Sequence, residues 1–173
     1  MVRIRRFRKE DIPYKVKWVN DSENNKYLHY HLPLEEDKTL LWFNSTKNQS
    51  NRRDYTITYS EVPIGLIGLL NIDYQNKKAE YYIMIGNTKH KGKGIAKKAS
   101  ELLIEIGYRE IKLNKIYLYT EVENNLAQKL FESIGFSKEG VLKEDLIVEG
   151  VKIDRFIYGL LMEEHFKQEN NND

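Results

Sequence analysis

A loop rich in glycine and lysine, between an apolar strand and an amphipathic helix, is the part of this chain that predicts chemistry most clearly. It reads Lys91-Gly92-Lys93-Gly94-Ile95-Ala96. Glycines let a backbone approach a ligand closely, and the first amides of a helix point outward with the positive end of the helix dipole behind them. The lysines add positive charge at the same place. The loop therefore predicts a binding site for a phosphorylated ligand.

Two nucleotide-binding motifs fit this loop poorly. A dinucleotide fingerprint needs a third glycine and an acidic residue about 20 positions later. Here Lys97 stands at the place of that glycine, and residues 112–115 read Lys-Leu-Asn-Lys. A P-loop needs Gly-Lys followed by Ser or Thr, whereas Gly92-Lys93 runs into Gly94. Taken alone, the loop would also be explained by a glycine turn with lysines that confer solubility.

A second strand and helix follow further along the chain, with an apolar strand over residues 115–122. The next segment reads Asn124-Asn125-Leu126-Ala127-Gln128-Lys129-Leu130-Phe131-Glu132-Ser133-Ile134-Gly135-Phe136. With both motifs in this order, the chain resembles the GCN5-related N-acetyltransferase (GNAT) family, in the branch of ribosomal-protein, polyamine and amino-sugar acetyltransferases. The family loop Gln/Arg-x-x-Gly-x-Gly/Ala falls on Lys91, Gly94 and Ala96. The family's second motif falls on Asn124, Ala127, Phe131, Glu132, Gly135 and Phe136.

The resemblance covers roughly residues 2 to 162 and implies acetyl transfer from acetyl-CoA, with no metal. It implies that the glycine loop holds the pyrophosphate and that the preceding strand offers backbone groups to the pantetheine arm. Asn124 would reach the pantetheine as well, although capping of the helix explains an asparagine there equally well. The expected cofactor-binding residues are Ile83, Met84, Ile85, Lys91, Gly92, Lys93, Gly94, Ile95, Ala96, Asn124, Ala127 and Phe131.

Two residues depart from the family pattern. Lys91 stands where Gln or Arg is usual, and a lysine can serve a pyrophosphate as a point charge without the fork of arginine. Phe131 stands where many members have a tyrosine whose hydroxyl protonates the leaving thiolate. Because a phenyl ring donates no proton, another group must do this, or the thiolate leaves without an acid.

Acetylation of an amine also needs a base for the amine proton and a donor for the developing oxyanion. Glu80 is the first candidate for the base, because it shares a strand face with Tyr82. An exposed glutamate paired with a lysine is the alternative. The resemblance implies that a backbone N–H of the strand that begins at Tyr82 serves the oxyanion. Tyr119 is a candidate acid, and Tyr119 and Glu121 are weaker alternatives for the base. The expected catalytic group is Glu80, Tyr82 and Tyr119.

A dense cluster of aromatic and polar residues in the N-terminal third predicts the substrate pocket. We expect substrate contacts from Trp18, Asn20, Tyr27, His29 and His31. Aromatic side chains beside Asn and His suit stacking on a sugar or a base, and they also suit an ordinary junction between helix and sheet. His29 and His31 would share a face if extended, but no third ligand lies nearby, so no metal site is expected.

Composition restricts the remaining possibilities. The chain has 173 residues, no cysteine and a net charge of +2. The length predicts one domain, and the absence of cysteine excludes a disulfide, a thiolate metal site and an acetyl-cysteine intermediate. The charge is too small to argue for nucleic acid. No apolar run reaches the ~20 residues of a membrane span. We therefore expect a cytoplasmic protein with a small-molecule partner, no nucleic acid and no membrane, and a homodimer is compatible with the pattern.

Hydrophobic periodicity predicts a single α/β domain over residues 1–166 and a polar, disordered tail over 167–173. Strands are expected at 2–7, 55–59, 64–72, 79–85 and 115–122, with a turn at Val62-Pro63 and a hairpin across Glu149-Gly150. Helices are expected at 11–19, at 35–46 with Leu40, Leu41 and Trp42-Phe43 partly buried, and after each motif. Together these elements predict a mixed, mostly antiparallel sheet of six to seven strands with helices on both faces, as the family resemblance also implies.

Three functions are consistent with these observations. The first is direct acetylation of a primary amine on a nucleotide-linked amino sugar. The second is acetylation of a polyamine or of a protein N-terminus, although the 18–31 segment carries only Asp21 and Glu23 as carboxylates. The third is a coenzyme A-binding sensor without catalysis, which Phe131 keeps open.

Overall fold

A seven-stranded sheet forms the centre of the molecule. The computed structural model describes the backbone of residues 1–170 and the side chains of residues 1–168. The strands are β1 (Val2–Arg6), β2 (Arg53–Tyr59), β3 (Val62–Asp73), β4 (Lys78–Ile85), β5 (Lys115–Glu121), β6 (Ser137–Val148) and β7 (Val151–Leu161). Their spatial order is β1-β2-β3-β4-β5-β7-β6, and β4 and β5 are parallel while the other neighbouring pairs are antiparallel.

Helices cover both faces of this sheet. They are α1 (Ile12–Asn20), α2 (Glu36–Thr46), α3 (Ile95–Arg109), α4 (Asn125–Ile134) and α5 (Met162–Asn170), with short 3-10 helices at Lys9–Asp11 and Thr88–His90. The larger core lies under α3 and α4, and a smaller cluster on the opposite face joins α1 and α2 to β3 and β4. The predicted mixed, mostly antiparallel sheet with helices on both faces is confirmed.

The alternation of side chains on β4 explains how the strand serves both layers. Ala79 and Tyr81 are buried in the larger core, with Ile83 and Ile85 packed against it. Tyr82 and Met84 pack against the smaller cluster instead. Successive side chains of a strand point to opposite faces of the sheet, so one strand supplies residues to both sides of the molecule.

Three local predictions need correction. The turn between β2 and β3 lies at Ser60 and Glu61, which adopt φ values of 48° and 68°, while Val62 and Pro63 already pair within β3. Leu41 is 70% exposed because it points away from the sheet on the outer side of α2. Residues 167–170, which the sequence placed in the tail, continue α5 to Asn170. The rest of the predicted tail, 171–173, lies outside the described residues.

Candidate active site

An opening between β4 and β5 is the centre of the candidate site. Lys78–Glu80 of β4 pair with Lys115–Tyr117 of β5. Beyond these residues the two strands separate towards their carboxyl ends. The cavity between them has a volume of about 350 Å³. Its lining consists of Tyr27, Leu28, His29, Glu80, Tyr81, Tyr82, Ile83, Ile85, Ala96, Tyr119, Thr120, Glu121, Asn124, Ala127, Leu130, Phe131, Leu146 and Arg155.

The opening is lined from both faces of the sheet. Ala96, Ala127 and Phe131 come from α3 and α4, which cover the larger core. Tyr27 and His29 come from the loop between α1 and α2 on the other side. A ligand bound from the α3 side can therefore meet a second ligand bound from the opposite side.

The glycine loop forms an open cradle at the start of α3. Gly92 and Gly94 both have φ of 72°, and a Cβ added at either would meet nothing within 4 Å. No side chain caps α3, so its first amides remain available to an anion. Lys93 is exposed, and Ile95 is buried in the core, so Ile95 offers only its backbone. These features fit the pyrophosphate of coenzyme A.

Lys91 already has a partner on the facing loop. Its ammonium donates a hydrogen bond over 2.8 Å to Oδ1 of Asn24. The amide of Asn24 in turn donates to the backbone oxygens of Trp18 and Gly86. The lysine of the cradle is thus linked to the loop that lines the opposite side of the opening.

The side of β4 that faces away from β3 and the hydroxyl of Thr120 offer polar groups inside the opening. β5 does not pair with β4 beyond Glu80, so backbone groups of Ile83, Met84 and Ile85 on that side have no strand partner. The side chain of Met84 points away from the opening, into a second cavity. Thr120 Oγ1 is buried and has no hydrogen-bond partner among the described residues. A buried hydroxyl of this kind calls for a polar partner, which a pantetheine amide would supply.

The start of α4 carries the second motif. Oδ1 of Asn124 accepts a hydrogen bond from the backbone N–H of Ala127 over 3.3 Å, which is the geometry of a helix cap. Phe131 is 7% exposed and packs edge-on against Tyr81, with 6.0 Å between the ring centroids. The phenyl ring thus contributes an apolar wall to the opening and no proton donor.

The three predicted catalytic side chains have different surroundings. Glu80 is partly buried, and its Oε2 accepts a hydrogen bond from Asn71 over 2.9 Å. The Tyr82 hydroxyl donates to Asp54 over 2.6 Å, and burial together with that carboxylate raises the pKa of Tyr82 well above its ordinary value. Tyr119 lines the opening, with the guanidinium of Arg155 4.5 Å from its ring centroid. The Tyr82 phenol is therefore committed elsewhere, while Glu80 and Tyr119 face the opening.

The predicted substrate residues separate into two groups. Tyr27 and His29 line the opening, and the Tyr27 hydroxyl donates to the Glu123 backbone. Trp18 is 5% exposed and packs in the smaller core cluster, against the bare backbone of Gly86.

The other two predicted substrate residues also lie away from the opening. The Asn20 side chain fastens the Leu34 backbone through two hydrogen bonds, and His31 is exposed outside the lining. The structure thus places Trp18, Asn20 and His31 away from this cavity, and Trp18 is buried because it packs from α1 against the sheet.

Sequence reasoning missed a contact that closes one side of the opening. Nε2 of His29 lies in direct contact with Oε1 of Glu121, and the two side chains are 31% and 12% exposed. Arg155 and Leu146 of the hairpin complete this side, with Arg155 paired to Asp145. The sequence analysis predicted His29 as a substrate contact and Glu121 as an alternative base. It did not predict that they meet, because the two residues lie 92 positions apart.

A second cavity lies beside the first, on the α1 and α2 face. It has a volume of about 170 Å³ and is lined by Lys15, Leu28, Tyr30, Arg52, Leu66, Leu70, Tyr82, Ile83 and Met84. Lys15 is 5% exposed, and its ammonium lies 3.5 Å from the centroid of the Trp42 ring. Burial lowers the pKa of Lys15 to about 8. No salt bridge joins Lys15 to a carboxylate of the described residues, and the nearby Asp54 is paired with Arg52.

Two other kinds of site are absent from the described part of the chain. Among the side chains of residues 1–168, no group of three His, Cys, Asp or Glu is arranged to hold a metal ion. No helix in the same range is long and apolar enough to cross a membrane.

Comparison with known proteins agrees with this geometry. Residues 2–137 match the family model described as the acetyltransferase (GNAT) domain. The chain is 29% identical to spermidine N(1)-acetyltransferase of Escherichia coli strain K12 over 151 residues, which cover 86% of this chain and 80% of that protein. It is 31% identical to the Vibrio cholerae enzyme of the same name over 134 residues, covering 76% and 77%.

A solved structure is similar over nearly the whole chain. The crystal structure of spermidine N-acetyltransferase from Vibrio cholerae in complex with CoA and spermine superposes with a TM-score of 0.87, at 26% identity, covering 95% of this chain and 98% of that one. These relatives are named for spermidine, so the expected amino-sugar branch gains no support from them. The match over residues 2–137 shows that the chain belongs to the GNAT family: it is an N-acetyltransferase, and its acetyl donor is acetyl-CoA.

Proposed function

We propose that this protein transfers an acetyl group from acetyl-CoA directly to a primary amine of a small polycation of the spermidine type. The observation that carries the proposal is the opening through the sheet, with an anion cradle on one side and the carboxylates Glu80 and Glu121 in its lining. The spermidine acetyltransferases among its relatives support this acceptor class.

On the donor side, the chain offers three kinds of contact. The cradle at Gly92 and Gly94 and the first amides of α3 suit a pyrophosphate. Unpaired backbone groups of β4 and the Thr120 hydroxyl suit the pantetheine amides. The small side chains of Ala96 and Ala127 leave room for the arm between the helices and the strands. When bound, acetyl-CoA supplies a thioester carbonyl that an amine can attack.

On the acceptor side, carboxylates would both attract and deprotonate the amine. An alkylammonium has a pKa of about 10.4, so it must lose a proton before it can attack. Glu80 is the proposed base for that proton, directly or through a water. Glu121 adds a second negative charge to the same opening, which suits an acceptor with more than one ammonium group.

Stabilisation of the developing oxyanion would come from the backbone of β4. The strand that begins at Tyr82 has no partner strand on the side of β5, so an N–H on that side is free to donate. Such a donor costs no reorganisation during the reaction, because the strand holds it in place.

A second acceptor class is favoured by the second cavity. Lys15 and Arg52 line a space that adjoins the opening through Leu28, Tyr82 and Ile83, which line both cavities. Because Lys15 has no carboxylate partner there, an anionic group of the acceptor would compensate its charge. An amine that also carries a phosphate, as in a nucleotide-linked amino sugar, is therefore the second candidate.

Thiol release from acetyl-CoA distinguishes these candidates. The protein would be offered spermidine, spermine, UDP- and dTDP-linked amino sugars and a ribosomal-protein peptide. Turnover of the polyamines supports the first class, and turnover of the sugars alone supports the second. Tight binding of acetyl-CoA without turnover of any amine would contradict both and would leave a coenzyme A-binding protein without catalysis.

The Lys15→Met variant tests the same choice within one protein. For an anionic acceptor, we expect its KM to rise at least ~10-fold, because a buried charge pair would be lost. For a polyamine, we expect KM to be unchanged or lower. Lys17→Met on the exposed side of α1 is the matched control, and it should change neither value.

A further inference from the structure

The opening lacks an evident donor for the thiolate that leaves at the end of the reaction. Phe131 offers no proton, and the Tyr82 hydroxyl is bonded to Asp54. The Tyr81 hydroxyl is bonded to Ser100 inside the core, and burial raises the pKa of Tyr81. A thiol has a pKa of about 8.5, so its thiolate is basic enough near neutral pH to take a proton from an acid beside it.

The contact between His29 and Glu121 supplies a group of the right kind. One ring nitrogen of His29, Nε2, contacts the Glu121 carboxylate, and the other, Nδ1, has no hydrogen-bond partner among the described residues. Both side chains line the same opening as Phe131. A carboxylate that holds one nitrogen sets the orientation of the ring and leaves the other nitrogen for proton transfer.

We propose that His29 is the general acid of this enzyme and that Glu121 is its positioning residue. In this arrangement the protonated ring donates from Nδ1 to the departing sulfur, while Nε2–H stays bonded to the carboxylate. The proposal rests on the proposed acetyl transfer, and it holds for either acceptor class because it concerns the donor thiol alone.

The proton and electron balance of the step is simple. Glu80 takes one proton from the acceptor ammonium, and the amine lone pair forms the new C–N bond at the thioester carbonyl carbon. The C–S bond then breaks, and its electron pair remains on sulfur. The proton of His29 Nδ1 moves to the sulfur. The ring, now neutral, then accepts the excess proton of the new amide nitrogen and is protonated again. The products are the N-acetyl amine and the thiol, and Glu80 releases its proton to water.

Other titratable groups facing the opening are Tyr27, Glu80, Tyr81, Tyr82, Tyr119, Glu121 and Arg155. Arg155 is held by Asp145 through a salt bridge of 2.6 Å. The Tyr27 hydroxyl is bonded to a backbone oxygen. Tyr119 is the remaining phenol with an open face, so it is the competing candidate for the acid, and its phenylalanine variant distinguishes the two assignments.

The test uses the full chain with an amine that the wild-type protein acetylates, and it follows kcat against pH at saturating substrates. An acid must be protonated to act, so wild-type kcat should fall on the alkaline side. His29→Asn should lower kcat at pH 7 by about 10²-fold and abolish that fall, with an unchanged Kd for acetyl-CoA. Tyr119→Phe should keep the alkaline fall, whatever the variant does to the size of kcat.

Two further variants separate proton transfer from a structural role. Phe131→Tyr in the His29→Asn background restores a hydroxyl in the wall of the opening and should recover at least ~10-fold of the lost kcat. Glu121→Gln should lower kcat without changing the Kd of acetyl-CoA, because the His29 ring loses the carboxylate that sets its orientation.

Three results would count against the assignment. An unaltered profile in His29→Asn would overturn it, and so would a loss that Phe131→Tyr fails to recover. Loss of the alkaline fall in Tyr119→Phe would assign the acid to Tyr119 instead. A wild-type protein that acetylates no amine contradicts the proposed function itself, whereas turnover with an unaffected His29→Asn variant contradicts only this inference.

Discussion

The hydroxyl of Tyr82 donates a hydrogen bond to the carboxylate of Asp54 over 2.6 Å, on the face of β4 that carries α1 and α2. Arg52 holds the same carboxylate through two hydrogen bonds of 2.6 and 3.0 Å. Gly68 on the neighbouring strand has no side chain, and a Cβ there would lie 2.5 Å from the Tyr82 ring. The phenol of Tyr82 is thus a fixed part of the packing beside the opening.

This relationship predicts the behaviour of Tyr82→Phe. We expect kcat within about twofold of the wild-type value, since the phenol donates no proton in the reaction. The free energy of unfolding should fall by about 1 kcal/mol, the net value of a typical hydrogen bond. Urea denaturation and thiol-release kinetics measure the two quantities. A large loss of kcat in a stably folded variant would return Tyr82 to the catalytic group.

Lys91→Glu tests the cradle at the start of α3. A carboxylate at this position would face the pyrophosphate, so we expect the affinity for acetyl-CoA to fall by at least ~10-fold, as for a like-charge contact of about 1.4 kcal/mol. Titration calorimetry measures the Kd. Asn24→Ala is the control, because it removes the partner of Lys91 without changing the charge of the loop. An unchanged Kd in the glutamate variant would show that the phosphates bind elsewhere.

Glu80→Gln tests the proposed base. We expect kcat to fall by about 10²-fold with little change in the Kd of acetyl-CoA. The pH dependence of kcat should also change, because the glutamine amide cannot accept the proton of the amine. Asn71→Ala removes only the hydrogen bond to this carboxylate and should have a much smaller effect. If the pH–rate profile of Glu80→Gln matches that of the wild type, Glu80 is not the base.

The buried charge of Lys15 predicts that Lys15→Met raises the free energy of unfolding, by an amount that depends on pH. Burial lowers the pKa of Lys15 to about 8 in the folded protein, from an ordinary value of 10.5. Between these values the unfolded chain binds more protons, so wild-type stability rises with pH across this range. Methionine removes the buried charge at similar volume, and we expect a gain of about 1–3 kcal/mol at pH 7.

That gain should shrink towards pH 10, where the lysine is neutral in the folded state. Urea denaturation of both proteins at pH 7 and pH 10 measures the difference. A variant that is less stable than the wild type at pH 7 would mean that the contact with the Trp42 ring and the charge of Asp54 outweigh the cost of burial.

Local patterns in the sequence were sufficient to predict the shape of the glycine loop and the start of α4. The positions of Gly92 and Gly94 before a helix predicted an anion cradle, because a positive φ and a free helix terminus depend on neighbouring residues alone. The alternation along β4 and β5 likewise predicted which side chains share a face. The capping role of Asn124 followed from its place before an amphipathic helix, and the geometry confirms it.

Only the tertiary structure decided which residues of the N-terminal third line the opening. The contact between His29 and Glu121 joins residues 92 positions apart, and the burial of Trp18 depends on Gly86 of another segment. The loop from 21 to 35 has no regular periodicity, so its sequence does not show which side chains turn to the opening. Periodicity along the chain determines the face on which a residue lies. The packing of distant segments determines what that residue meets there, and long-range contacts leave no pattern in a single sequence.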